Sequence, residues 1–257
     1  MNKENKILLE KIKAYFHGVG SISKSGNMLY YEVSSLKTLV EIREHFQKYP
    51  LQTIKSVYFN LWCEALDIMV NKQHLTELGF NRLLSIKSIF PKGLSDTIKE
   101  VYPNVVPIEK PEHKPSSSLL DPYWITGFVQ ADGSFSISYH KNYRRKLGYS
   151  VQPTFRVTQH ERDLIVLQRI IETLGCGKVL GPYSGRDRYD ISVLNMKDIS
   201  EIIIPFFTNY PLYGAKSLDF NSFCLGVSIV LRKEHLTKKG LDKLKDLTYS
   251  MNTFRKD

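Results

Sequence analysis

From Leu119 the chain sets apolar and small residues at helical spacing. Leu119, Leu120, Tyr123, Trp124, Gly127, Phe128 and Ala131 fall on one face, with Asp121 and Pro122 as starting residues. At Gly133 the period changes from three-to-four to two. Phe135, Ile137 and Tyr139 alternate with Ser134, Ser136, Ser138 and His140, a basic turn runs from Lys141 to Lys146, and then Val151, Phe155 and Val157 oppose Gln152, Thr154, Arg156 and Thr158. Such alternation predicts a β-hairpin with one apolar and one polar face. A helix over 161–174 that stops at Gly175 and Gly177, a second hairpin over 178–193 turning near Gly185, and helices over 197–207, 216–231 and 237–251 complete the order.

The first half repeats the middle of that pattern. A helix over 5–16 matches 165–174, and strands over 20–25 and 29–34 match the second hairpin, with Tyr31-Glu32-Val33-Ser34 against Tyr189-Asp190-Ile191-Ser192. Further on, Tyr49-Pro50-Leu51, Lys55-Ser56, Lys72, His74-Leu75-Thr76 and Gly79 return as Tyr210-Pro211-Leu212, Lys216-Ser217, Lys233, His235-Leu236-Thr237 and Gly240. Each pair stands 161 positions apart, as 55 does from 216 and 79 from 240. So constant an interval across varied residue types marks a tandem duplication. The expected fold is α+β, two domains of helix, hairpin, helix, hairpin and helices with antiparallel sheets. The domains are 1–102 and 119–257, joined by a connector over 103–118 in which Pro103, Pro107, Pro111 and Pro115 favour extended backbone. The first copy lacks a counterpart of the opening helix and first hairpin. It is expected to be N-terminally incomplete, and an in-frame upstream extension holding a second such motif would show Met1 to be a misplaced start.

Charge narrows the partners. Lys plus Arg number 36 against 26 acids, a net charge of +10 and a pI of about 9.3, which favours polyanions, nucleic acid above all. No apolar run approaches the roughly 20 residues of a membrane span, so no membrane partner is expected. Cys63, Cys176 and Cys224 form no metal-ligand spacing and read as buried free thiols. Thr76 and Thr237 each precede a helical run and read as N-caps. His74 and His235 read as structural, and Trp62 and Trp124 as packing residues.

The chemistry concentrates at Asp132. It sits at a helix C-terminus, where free carbonyls add partial negative charge to its carboxylate and attract a cation. A hard, oxygen-rich site of this kind suits Mg²⁺. The strand that follows carries Ser134, Ser136, Ser138 and His140 on its polar face, in register with Gln152, Thr154 and Arg156. Arg144, Arg145 and Lys146 at the hairpin tip, with Arg186 and Arg188 on the second hairpin, suit phosphates or guanine edges.

The window Ile125-Thr126-Gly127-Phe128-Val129-Gln130-Ala131-Asp132-Gly133 resembles the nine-residue signature of LAGLIDADG homing endonucleases, and looks like the second motif of a single-chain, two-motif member encoded in an organellar intron. The Tyr-Pro-Leu and lysine segments, His-Leu-Thr, and Thr158-Gln159-His160 before a helix extend the likeness over nearly the whole chain. The resemblance implies that Asp132, at the eighth motif position, binds the catalytic divalent metal, Mg²⁺ or another divalent cation, and that the Ala131 carbonyl joins it. It implies that Lys216, with Lys55 as its repeat mate, stabilises the scissile phosphates, and that saddle-shaped sheets lie in the major groove of a double-stranded DNA target. Gln130 replaces an acidic sixth position that is mainly structural.

A sequence-specific DNA endonuclease of mitochondrial origin is therefore the leading expectation. An intron maturase, an RNA-binding splicing cofactor on the same fold, and a degenerate DNA-binding protein that cuts nothing stay open as alternatives. With one motif in view, the chain is expected to nick one strand at most. A complete two-motif chain is expected to be a monomer, whereas an uncovered apolar face around Trp124, Gly127 and Phe128 would favour self-association.

Overall fold

In chain order the elements are α1 (Lys3–Tyr15), β1 (Ser21–Ser25), β2 (Met28–Glu32), α2 (Leu36–Lys48), α3 (Lys55–Val70), α4 (Glu77–Ser88), α5 (Asp96–Val101), α6 (Pro122–Asp132), β3 (Gly133–Lys141), β4 (Tyr149–His160), α7 (Leu164–Leu174), β5 (Lys178–Leu180), β6 (Arg188–Val193), α8 (Met196–Asp198), α9 (Ile204–Asn209), α10 (Gly214–Leu231) and α11 (Lys238–Tyr249). This computed structural model describes residues 3–26, 28–183 and 185–252. The outer ends of the two expected domains, 1–2 and 253–257, and the start at Met1 lie outside the described residues.

The chain divides into two compact units. One is Leu9–Ser116. The other comprises the described residues from Ser117 onward together with those up to Leu8. The division falls inside the proline-rich stretch expected to connect the domains. Up to His113 that stretch belongs to the first unit. Ile108 packs against its core, Lys110 Nζ donates to Tyr58 Oη over 3.0 Å, and His113 Nδ1 meets Ser56 Oγ at 3.1 Å. Beyond the division, the buried Arg169 donates to the Ser118 carbonyl, and Thr173 Oγ1 accepts from Leu120 N.

The second unit builds on an antiparallel four-stranded sheet in the order β3-β4-β6-β5. Because strand side chains alternate, Phe135, Ile137, Phe155, Val157, Ile191 and Val193 all turn to one face and are buried there. At the centre of that core Phe135 touches Phe155, Phe207, Phe220 and Phe223, with ring centroids 5.2–5.4 Å apart. Helix α10 comes against the sheet closely enough that a Cβ on Gly226 would meet Ile137 Cδ1 at 2.2 Å. The helix expected over 197–207 is broken into α8, a π-helical turn over Ile199–Ile203, and α9. Pro205 accounts for the widening, since it has no N–H to give and its ring crowds the carbonyl one turn back.

Leu9–Ser116 carries a two-stranded antiparallel sheet, β1-β2, and a smaller core of Val57, Leu61, Ile68 and Ile86. β2 stops at Glu32, whereas its counterpart β6 runs to Val193.

The repeat is clearest after α3 and α10. Lys72 and Lys233 both adopt the left-handed conformation, with φ 59° and 60°, and each is followed by one 3₁₀ turn. Thr76 and Thr237 then cap the next helix, accepting from Gly79 N and Gly240 N at 3.1 Å in both copies. Any Cβ on those glycines would strike the carbonyl of Gln73 or Glu234 within 2.1 Å, so the turn admits only glycine. No helix among the described residues is long and apolar enough to cross a membrane.

Candidate metal-binding acid and nucleic-acid interface

Helix α6 starts where Asp121 accepts from Tyr123 N (2.8 Å) and Trp124 N (3.2 Å), with Pro122 in the first turn. Its buried face is Ile125, Thr126 and Val129, joined by Leu120 just outside the helix. The face that the spacing groups, Leu119, Leu120, Tyr123, Trp124, Gly127, Phe128 and Ala131, is a different one, and of it only Leu120 is buried. In the structure Leu119, Tyr123, Gly127 and Ala131 are exposed, while Trp124 and Phe128 are half-buried and stacked at 4.8 Å. The helix is apolar on both sides, so spacing alone cannot tell which side meets the sheet.

Asp132 ends α6 and Gly133 opens β3. A Cβ at Gly133 would lie 2.4 Å from Val129 Cγ1 and 2.7 Å from Val129 O, so glycine is what lets the chain turn from helix to strand here. Asp132 and Ala131 are exposed. Gln159, near the end of β4, donates from Nε2 to Asp132 Oδ2 over 2.7 Å. Lys216, the third residue of α10, donates from Nζ to the Gly133 carbonyl. Burial pulls the Lys216 ammonium below the ordinary lysine range, and the carboxylates of Asp219 and Asp132 partly restore it. The acid and the amine expected from sequence are thus brought together.

Lys55 stands differently. It is the first residue of α3 and exposed, and among the described residues of Leu9–Ser116 no helix stands to it as α6 stands to Lys216. Gln130, expected to be structural, has a defined task. Its Nε2 donates to Tyr213 O and its Oε1 accepts from Tyr213 N, both at 2.9 Å.

The register lines up the polar face of the sheet. Lys178, Ser192, Arg156 and Ser134 form one row across four strands, and Leu180, Asp190 and Thr158 the next. Ser136 then faces Thr154, Ser138 faces Gln152 and His140 faces Ser150. Not all of these side chains are free. Arg156 Nε lies 3.5 Å from the buried Asp190 carboxylate, to which Tyr183 also donates. Gln152 spends its amide on the carbonyls of Pro153 and Leu194, Ser138 donates to Gln152 O, and Thr154 is 6% exposed. In the free protein Arg156, Gln152 and Ser138 are thus engaged by neighbouring groups, and Thr154 is buried. His140, Arg144, Arg145, Lys146, Arg186 and Arg188 are exposed as expected, and Ser134 and Ser136 are half-exposed. The pattern did not single out the roles of Gln159 and Asp190. Gln159 stood in the Thr-Gln-His segment, but its partner is 27 residues away.

Among the described residues no three His, Cys, Asp or Glu side chains cluster as a metal cage. The Asp132 carboxylate and the Ala131 carbonyl nevertheless suit Mg²⁺, which is bound through one or two carboxylates and keeps places for water and substrate phosphates. Within that limit the donor set fits a divalent cation.

A family model described as LAGLIDADG endonuclease matches residues 1–66 and 125–227. A probable intron-encoded endonuclease 3 of Neurospora crassa is 34% identical over 92% of this chain and 44% of its own length. The chain spans about half the length of the curated relatives it matches. Among solved structures, the I-SmaMI LAGLIDADG homing endonuclease bound to cleaved DNA superposes with a TM-score of 0.93 at 36% identity, over 100% of this chain and 85% of that one. I-SmaMI bound to its uncleaved DNA target in the presence of calcium ions gives 0.92 at 36% identity, over 98% and 86%.

Proposed function

Because the chain belongs to the LAGLIDADG endonuclease family, we propose that it acts as a sequence-specific DNA endonuclease that hydrolyses phosphodiester bonds with a divalent cation. The observation that carries this is the meeting of Asp132, Gln159 and Lys216 at the junction of α6 and β3, beside the polar face of the four-stranded sheet. Asp132 and the Ala131 carbonyl would hold Mg²⁺. A bound divalent cation polarises a phosphate oxygen and offsets the charge that builds there during hydrolysis.

The protein's own residues supply the rest. Gln159 fixes the rotamer of the Asp132 carboxylate. Lys216 contributes a positive point charge next to the acid, where it meets phosphate charge without needing a proton transfer. Ser134, Ser136, His140 and the exposed arginines of the two hairpins face the duplex. Sheet residues in the major groove distinguish base edges, and the loop cations anchor the backbone. The intron-encoded fungal relative supports a mitochondrial origin.

The test is selection of duplexes from a randomised library by the purified chain, then incubation of the bound duplexes with Mg²⁺ or with EDTA. Strand scission in Mg²⁺ alone is expected. Binding without scission would leave a DNA-binding protein that does not cut, and tighter binding of a group I intron RNA than of any duplex would favour a maturase.

A further inference from the structure

The segment before α10 is laid along one side of α6. Thr126 Oγ1 donates to Tyr210 O, Gln130 bonds both ways with Tyr213, and the carbonyl of Gly133 accepts from Lys216. Thr126 and Gln130 stand at i and i+4 and so share a face of α6, and Gly133, the first residue of β3, offers its backbone carbonyl just beyond the helix end. They engage residues 210, 213 and 216 at regular steps of three. Between Tyr213 and Lys216 stands Gly214, at φ +55°, where the chain turns into the helix.

We propose that Gln130 is a positioning residue. By holding both backbone groups of Tyr213 it fixes the turn that launches α10, and so the place of the Lys216 amine beside Asp132. The inference rests on the nuclease reading of this site. The Gln130 amide suits this place, because Tyr213 presents an N–H and a C=O side by side and the amide meets them with one acceptor and one donor. A carboxylate here would satisfy the N–H and leave its second oxygen against the carbonyl. Loss of the clamp leaves Lys216 in the sequence but lets its helix start drift, and an error near 1 Å in a reacting constellation costs about 10²-fold in rate.

The experiment compares the parent with Gln130→Met, which keeps the length and removes both bonds, and Gln130→Glu, which keeps the acceptor. In the free protein, hydrogen exchange at the Tyr213 amide should quicken about tenfold in Gln130→Met, the scale of one lost hydrogen bond. Reductive methylation of Lys216, followed by mass spectrometry, should quicken with it. On a library-selected duplex, the single-turnover scission rate should fall about 10–100-fold with Kd unchanged, and Gln130→Glu should fall between Gln130→Met and the parent. Unchanged exchange and labelling in both variants, or a loss confined to Kd, would overturn the proposal. If the parent cuts no duplex the nuclease reading fails instead, and exchange and labelling in the free chain still decide the clamp.

Discussion

Gln159 Nε2 donates to Asp132 Oδ2 over 2.7 Å, tying the end of β4 to the end of α6 across 27 residues of chain. The acid proposed to bind metal thus has one oxygen oriented by a neutral donor, which fixes its direction without cancelling its charge.

Replacing Asp132 by Asn keeps the shape and removes the charge, so Mg²⁺-dependent scission should disappear while DNA binding stays. Gln159→Leu should be milder. A hydrogen bond to a charged group is worth about 1.5–3 kcal/mol, so its scission rate should drop roughly 10–100-fold. Single-turnover assays on a bound duplex measure both, and a Gln159→Leu rate equal to the parent's would remove Gln159 from the site.

The exposed tip cations and the sheet arginine should separate in a salt titration. Each of Arg144→Ala and Arg145→Ala is expected to shallow the slope of log Kobs against log[salt] by about 0.9, one phosphate contact each. Arg156 is already paired with Asp190. Its alanine variant should leave the slope nearly unchanged but lower Tm, because Asp190 is buried and loses its cation. A slope change at Arg156 as large as at Arg144 would refute that division.

The two threonine caps give an internal control. Thr76→Ala and Thr237→Ala each remove a bond of 3.1 Å to a glycine N–H in the same turn geometry. Each should cost about 1 kcal/mol of stability. Urea unfolding of both variants tests this, and a negligible effect in one copy would show that the repeated turns are not energetically equivalent.

Acid stability should depend on His45. Its imidazole packs edge-on against Tyr15 and Phe16. Burial first, then the charge of Lys48, holds its pKa below the ordinary range. The unfolded chain therefore binds a proton more readily than the folded one. The neutral ring's contribution is complete above the ordinary value of about 6.5 and is lost as pH falls through the lowered one. His45→Phe should flatten the decline of Tm below pH 6.5, and an unchanged acid slope would argue against the shift.

Much of the molecule follows from the sequence, because its determinants are local. Period-two alternation from Ser134 to Tyr139 fixes which face of β3 is apolar, Asp121-Pro122 starts α6, and Thr76 and Thr237 cap their helices three residues before an N–H they can reach. The interval of 161 exposes the duplication without reference to any fold. What the sequence leaves undecided depends on residues far apart. Helix α6 is apolar on both sides, and only the position of the sheet determines that Ile125 and Val129 go inward. Lys55 and Lys216 are the same residue in matching segments, yet only Lys216 lies against a helix that ends in an acid. Arg156 looks like a free cation until the fold brings Asp190 beside it, and Gln130 and Gln159 are ordinary amides until Tyr213 and Asp132 arrive. Backbone preference is written residue by residue, whereas a hydrogen bond across 83 positions exists only once the core has packed both partners into place.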